Sequence, residues 1–192
     1  MANFNDKAPI SENPELLDII ISNIQTGLVD NLPWLDKAFG RAERIVDMDN
    51  NRRRVYTPCV YVSGNDYIRV TPDANIGNFC FFWVEDPQNT DIDKTHVGIS
   101  TQFSIIFWFD FRRIYNSGDT RNKEDLKRQI LDTLNTGFRV RSGHFTINRI
   151  YELAENIYRG FSLDEVDNQF LMHPFGGFRF EGELSISGPC KY

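Results

Sequence analysis

The stretch Thr101-Gln102-Phe103-Ser104-Ile105-Ile106-Phe107-Trp108-Phe109-Asp110-Phe111 decides the fold. Phe103, Ile105, Phe107, Phe109 and Phe111 take alternate positions, and all are large and apolar. Successive side chains of a strand point to opposite faces, so the alternation predicts one long β-strand, over about Val97–Ile114, with an aromatic face turned into a core. Ile106 and Trp108 place two more large apolar groups on the opposite face, which predicts cover on both sides of the sheet. Such cover requires helices on both faces or a neighbouring chain.

Working outward, Asn13-Pro14-Glu15 reads as a helix start, with Asn as N-cap, Pro at the first position and an acid near the positive helix end. Leu17, Ile20, Ile21, Ile24 and Leu28 follow on one helical face, and Pro33 ends the run. Trp34, Leu35 and Phe39 read as a short packed turn closed by Gly40. Arg41–Val62 is expected to form an extended β-hairpin with its tip at Asp47–Arg52. Pro58 inside the returning strand predicts that this strand is an edge or carries a bulge. Further strands are expected at Tyr67–Val70 and Phe79–Val84, and a polar loop at Glu85–Lys94.

Beyond the long strand, Asn122 caps a second amphipathic helix with Leu126, Ile130, Leu131 and Leu134 on its buried side. A strand at His144–Ile150, a short helix at Glu152–Tyr158 and an irregular stretch at Phe161–Pro174 come next. In the closing strand, Gly177–Ser187, Phe178, Phe180, Leu184 and Ile186 alternate with Arg179, Glu181, Glu183 and Ser185. Helices flanking a run of strands predict the fold class: a single α+β domain over residues 13–192, a mostly antiparallel twisted sheet with amphipathic helices packed on one face and an extended β-hairpin. Residues 1–12 are polar and read as a flexible N-terminal arm.

Composition limits the function. The 192 residues suffice for one well-buried core, and 16 Phe favour strands as its walls. The formal net charge of −6 divides unevenly, as −5 over residues 1–51, +3 over 52–150 and −4 over 151–192. Tight non-specific DNA binding needs clustered Lys and Arg, which only the middle segment could supply. Cys59, Cys80 and Cys190 have no paired spacing and read as free thiols of a reducing compartment. Met1–Ser11 lacks the apolar core of a signal peptide, and no apolar run reaches the roughly 20 residues that span a bilayer. The expectation is a soluble chain made in cytosol-like conditions, with no membrane partner.

Tests for chemistry yield no catalytic, metal or cofactor residues. His96, His144 and His173 stand without a second ligand at helical spacing. Asp47-Met48-Asp49-Asn50-Asn51 begins like a calcium loop, but Arg52 stands where Gly is needed and Pro58 where Glu is needed. Gly98-Ile99-Ser100-Thr101-Gln102 lacks the second glycine of an esterase elbow. No phosphate-cradling glycine loop with a following Lys occurs. Glu181 and Glu183 share a strand face, which predicts a solvated or interfacial acidic stripe. Arg52-Arg53-Arg54 reads either as edge protection or as a docking patch for an acidic neighbour. Phe81, Trp83, Ile106 and Trp108 exceed what two helices can cover and are expected, with Arg52, Arg53 and Arg54, to form a subunit interface.

In its order of elements the chain resembles the tail-terminator and tail-completion proteins of tailed bacteriophages, or a related neck (head–tail connector) ring protein. The likeness runs through the amphipathic N-terminal helix, the hairpin with its Pro-interrupted strand (Arg54-Val55-Tyr56-Thr57-Pro58), the long strand Thr101–Arg113, the helix Lys123–Asn135 and the terminal strand Phe178–Ile186. The resemblance implies a non-enzymatic virion protein, made in the host cytoplasm, that forms a sixfold or twelvefold homo-oligomeric ring. Such a ring stops tail-tube growth, meets tube, connector or portal proteins and lets DNA pass without sequence-specific binding. It would turn Glu181 and Glu183 toward the lumen. A different class stays open: a β-rich module binding carbohydrate or a protein partner through Tyr61, Tyr67 and Trp83.

Overall fold

The phenylalanine-rich stretch is the spine of the sheet. The computed structural model describes residues 6–7, 14–49, 51–63, 66–92, 96–115, 122–135 and 143–189. In chain order the elements are β1 (Asp6–Lys7), α1 (Leu17–Asn31), β2 (Lys37–Met48), β3 (Arg54–Ser63), β4 (Asp66–Arg69), β5 (Phe79–Val84), β6 (Asn89–Ile92) and β7 (His96–Asp110). Then follow α2 (Phe111–Tyr115), α3 (Lys123–Asn135), β8 (Gly143–Tyr151), α4 (Ala154–Ile157), a 3₁₀ turn (Asn168–Leu171) and β9 (Phe175–Pro189).

The sheet runs β4-β3-β2-β5-β7-β9-β8, with β1 beside β2 and β6 beside β7. Only β1/β2 and β2/β5 are parallel, so the sheet is mostly antiparallel, as the sequence predicts. β7 and β9 pair along their whole length, from His96 opposite Pro189 to Asp110 opposite Phe175. Gly177, opposite Trp108, leaves room for the indole, because a Cβ there would collide with the ring.

On one face, Phe103, Ile105, Phe107 and Phe109 of β7 join Phe178 and Phe180 of β9 beneath Ile20, Ile21, Ile24 and Leu28 of α1 and Leu126, Ile130 and Leu134 of α3. Each of these side chains is buried. Trp34 Nε1 donates to Gln129 Oε1 at 3.0 Å and ties the end of α1 to α3. Leu131 departs from expectation: it points to solvent, and Thr133 takes the buried place beside Leu134.

Other departures have local causes. α1 begins at Leu17, because Leu16 sits at φ 50°, outside helical geometry; Asn13 lies outside the described residues. Part of the expected arm is ordered, with Asp6 and Lys7 paired parallel to Lys37 and Ala38. Phe39 and Gly40 lie within β2 rather than in a turn, since the Asp36 and Lys37 N–H groups donate to the Asn78 carbonyl and start the pairing with β5. The expected loop at 85–94 contains β6, whose ladder to β7 needs no apolar side chain. β7 stops at Asp110 because that carboxylate accepts the Arg112 N–H at 2.9 Å and caps α2.

β3, which contains Pro58, is not an edge strand, and its register shift lies at Tyr61–Ser63 against β4 rather than at the proline. β3 lies between β2 and β4, and its register against β2 is unbroken from Ala42 opposite Val60 to Met48 opposite Arg54. The Pro58 carbonyl accepts the Val70 N–H, so its backbone faces the β4 side, just past the end of that strand. The missing donor therefore costs no bond in the β2 ladder.

Candidate functional site: the second sheet face and the hairpin

The second face of the sheet is closed by the chain itself. Phe81, Ile106 and Trp108 are buried, with 0%, 0% and 2% of their surface exposed. Above them lie Ile157, Tyr158 and Phe161, flanked by Phe39, Ala42, Val60 and Val70 of the β2–β4 region. The Trp108 ring meets Tyr158 edge-on at 5.7 Å, and Phe81 lies 6.0 Å from the same Tyr158 ring. Trp83 is half-buried with its ring edge-on to Phe161 at 5.0 Å. This corrects the expectation of a subunit interface at Phe81, Ile106 and Trp108, while Trp83 keeps part of its surface exposed. Two helices leave the second face uncovered, but the segment after β8 covers it instead.

The face changes character toward β8. Ser104 stands opposite Glu181 in the register, and both are buried, as is Arg179 at 1% exposure. Arg179 donates to Glu85 Oε1 at 3.0 Å and to the Arg159 carbonyl at 2.8 Å, and its Nε lies 3.2 Å from Glu181 Oε1. Arg159 donates to Glu181 at 2.5 Å, and the Tyr151 hydroxyl to the same carboxylate at 3.2 Å. Burial pulls the Arg179 guanidinium below its ordinary pKa, against the opposing attraction of Glu181. Glu181 is thus an internal counter-charge, which corrects the expectation of a solvated or lumen-facing acid. Its neighbour Glu183, by contrast, is exposed. The alternation placed both correctly on one face. What it could not show is that β9 is interior and that Arg159 returns over the face to meet Glu181.

The hairpin carries the remaining predicted residues. β2 leaves β5 after Arg41, where the register to Phe82 ends, and every residue from Glu43 to Met48 is exposed. Ile45, Val46 and Met48 present 46%, 54% and 58% of their surface. At the tip, Asp49 Oδ1 accepts the Asn51 and Arg53 N–H groups at 2.8 and 2.7 Å, which closes the turn. Arg52, Arg53 and Arg54 are exposed and make no ion pair among the described residues. One hairpin edge is fastened. The Tyr56 N–H donates to Ser162 Oγ at 3.0 Å, the Ser162 N–H returns to the Tyr56 carbonyl at 2.8 Å, and Arg69 bridges Asp47 at 2.7 Å and Glu165 at 3.4 Å.

The other residues singled out by sequence have quiet surroundings. His144 meets the Ser185 hydroxyl at 2.9 Å, and the His173 ring lies 5.9 Å from that of Phe111. Beside Trp108, a cavity of about 260 Å³ brings Lys123, Glu152 and His173 together, but Glu152 is already paired with Lys127 at 2.5 Å. Tyr61 and Tyr67 meet edge to face, 67° apart, rather than forming a flat platform. Cys59 and Cys80 are free and buried, and burial raises both thiols; Cys190 lies outside the described residues. Among the described residues no helix is long and apolar enough to cross a membrane.

The molecule defines a class: a single α+β domain whose open, twisted, mostly antiparallel sheet carries helices on one face and projects a long hairpin. No protein-family model matches the chain, and no curated protein is significantly similar to it.

Proposed function

We propose that this chain is a non-enzymatic virion structural protein of a tailed bacteriophage. Copies of it form a ring at the head–tail junction, as a tail terminator or neck ring, that stops tube growth, joins tail to connector and lets DNA pass. The observation that carries the reading is the projecting hairpin. Its distal half holds Val46 and Met48 on one face and Ile45 on the other, all in water, beside Arg52, Arg53 and Arg54, which make no ion pair among the described residues, on a strand whose outer edge is open. Large apolar side chains exposed on both faces of a projecting arm suit a contact that grips the arm, and hairpin arms and sheet edges are natural joints between subunits. The order of helix, hairpin, long strand, helix and terminal strand supports the phage assignment through the resemblance already described.

Within this reading the joint moves from the sheet face to the hairpin. Arg52, Arg53 and Arg54 stay in the interface, while Phe81, Ile106 and Trp108 leave it. Glu183, exposed on β9, is the one acid of the former pair still able to line a lumen. The test is particle mass across a concentration series, with and without purified tail tubes. A closed ring of six or twelve copies, or one that caps tubes, is expected. A strict monomer at high concentration that ignores tail tubes would overturn the reading.

A further inference from the structure

We infer that the ring is joined by strand addition: β6 of one copy pairs with the open edge of β2 in the next. The inference rests on the ring-subunit reading and specifies its joint.

The direction of the β2 backbone is fixed by three separate contacts. The Asp49 N–H donates to the Arg53 carbonyl, so the 49/53 pair is bonded, and with the unbroken register so are 47/55, 45/57 and 43/59. The carbonyl of Pro58 and both backbone groups of Tyr56 point away from β2, which agrees. The backbone groups of Arg44, Val46 and Met48 therefore point away from β3, to the side that β5 vacates after Arg41. The Met48 N–H is taken by the Asp47 carboxylate at 2.8 Å. Those of Arg44 and Val46 meet no partner among the described residues. An open edge of this kind, flanked by exposed apolar groups, is a template for another strand.

The occupant is chosen by charge and edge. Four other strands of the described sheet, β1, β4, β6 and β8, pair on one side only. β8 carries His144 and Arg149 with no acid, β1 sets Asp6 beside Lys7, and β4 balances Asp66 with Arg69, which bridges Asp47 and Glu165, whereas β6 carries an acid and no base. β6 is exposed at all four positions and leaves Ile92 68% exposed. Asp91, and Asp86 just before the strand, are exposed acids without an ion pair among the described residues. Asp91 and Ile92 on β6, with Asp86 just before the strand, complement Arg44, Arg52, Arg53 and Arg54 and the exposed apolar side chains of Ile45, Val46 and Met48. Because β2 and β6 are different surfaces, the contact is heterologous, the kind that generates a ring when its rotation closes. The apolar component favours a protein over nucleic acid, whose phosphates would need only the arginines.

Val46→Pro is the decisive variant. Its N–H faces outward, so proline removes a donor from the joint and none from the β2–β3 ladder, as Pro58 already does on β3. Full-length Val46→Pro, with an unchanged circular dichroism spectrum, is expected to sediment as a monomer where wild type forms rings. A second arm avoids dependence on proline. Changing Arg52, Arg53 and Arg54 to Glu should weaken assembly about tenfold or more at low salt, and adding Asp86→Arg and Asp91→Arg to the same chain should restore it. Rings that form unchanged from Val46→Pro, or a charge swap without rescue, would overturn the joint while leaving the ring reading intact. A wild-type chain that never assembles would overturn both. A triple Glu variant that still forms rings but loses binding to duplex DNA would reassign the hairpin to nucleic acid.

Discussion

On one face of β7, Phe103, Ile105, Phe107 and Phe109 form an unbroken apolar row beneath two helices; on the other, Ile106 and Trp108 give way to Ser104 and the Arg179–Glu181 pair beneath an irregular segment. The first face is held chiefly by packing. The second includes a charge network that must keep every partner to justify its burial. Buried side-chain atoms without a hydrogen-bond partner among the described residues occur on both sides, Trp108 Nε1 and Ser104 Oγ on the second face and Asp18 Oδ1 on α1, while Gln25 Nε2 reaches the Ala38 carbonyl and Trp34 reaches Gln129. The helical face depends on filled volume, and the charged face on keeping its ion pairs together.

Substitutions can break or sharpen that contrast. Phe107→Ala, at the centre of the helical face, should cost about 4 kcal/mol of unfolding free energy in urea titrations. Glu181→Gln should cost about 3 kcal/mol, since Arg159 and Arg179 lose their shared counter-charge and Glu85 alone stays beside Arg179. Replacing Arg179 with Met and Glu181 with Leu together should recover part of that loss, an outcome a simple cavity would not give. Trp108→Phe should cost only about 1 kcal/mol, because the indole N–H it removes has no partner.

The smallest effect lies at the end of β7. Burial pushes the Asp110 carboxyl up, but hydrogen bonds from Arg112 outweigh it and hold the group below its ordinary pKa. A depressed carboxyl binds its proton less readily folded than unfolded, so its contribution is complete at neutral pH and is lost as pH falls below about 4. Asp110→Asn should remove that acid-side slope, worth under about 1 kcal/mol, from a plot of stability against pH.

How much of this was legible follows from what a periodic pattern can encode. Phe103 to Phe109 and Leu17 to Leu28 repeat with the periods of strand and helix, so the spine, its helical cover and the fold class could be read directly. The cover of the second face could not. Ile157, Tyr158 and Phe161 stand in a stretch without period, and the only hint was that an irregular segment held so many large apolar residues. Glu181 was misjudged for a related reason: alternation assigns a side chain to a face but says nothing of what lies over it. The hairpin and its Arg52–Arg54 end were visible in the turn chemistry of Asp49. The open edge beside Val46 was not, because it depends on where β2 parts from β5.

The claim that β2 joins one copy to the next is tested most directly by amide hydrogen exchange at Arg44, Val46 and Ile45 as the protein is concentrated. In dilute solution the outward amides of Arg44 and Val46 should exchange fast, and the Ile45 amide, bonded into the β3 ladder, slowly. On assembly Arg44 and Val46 should become protected to the level of Ile45. Fast exchange at both positions in the assembled particle would contradict the account.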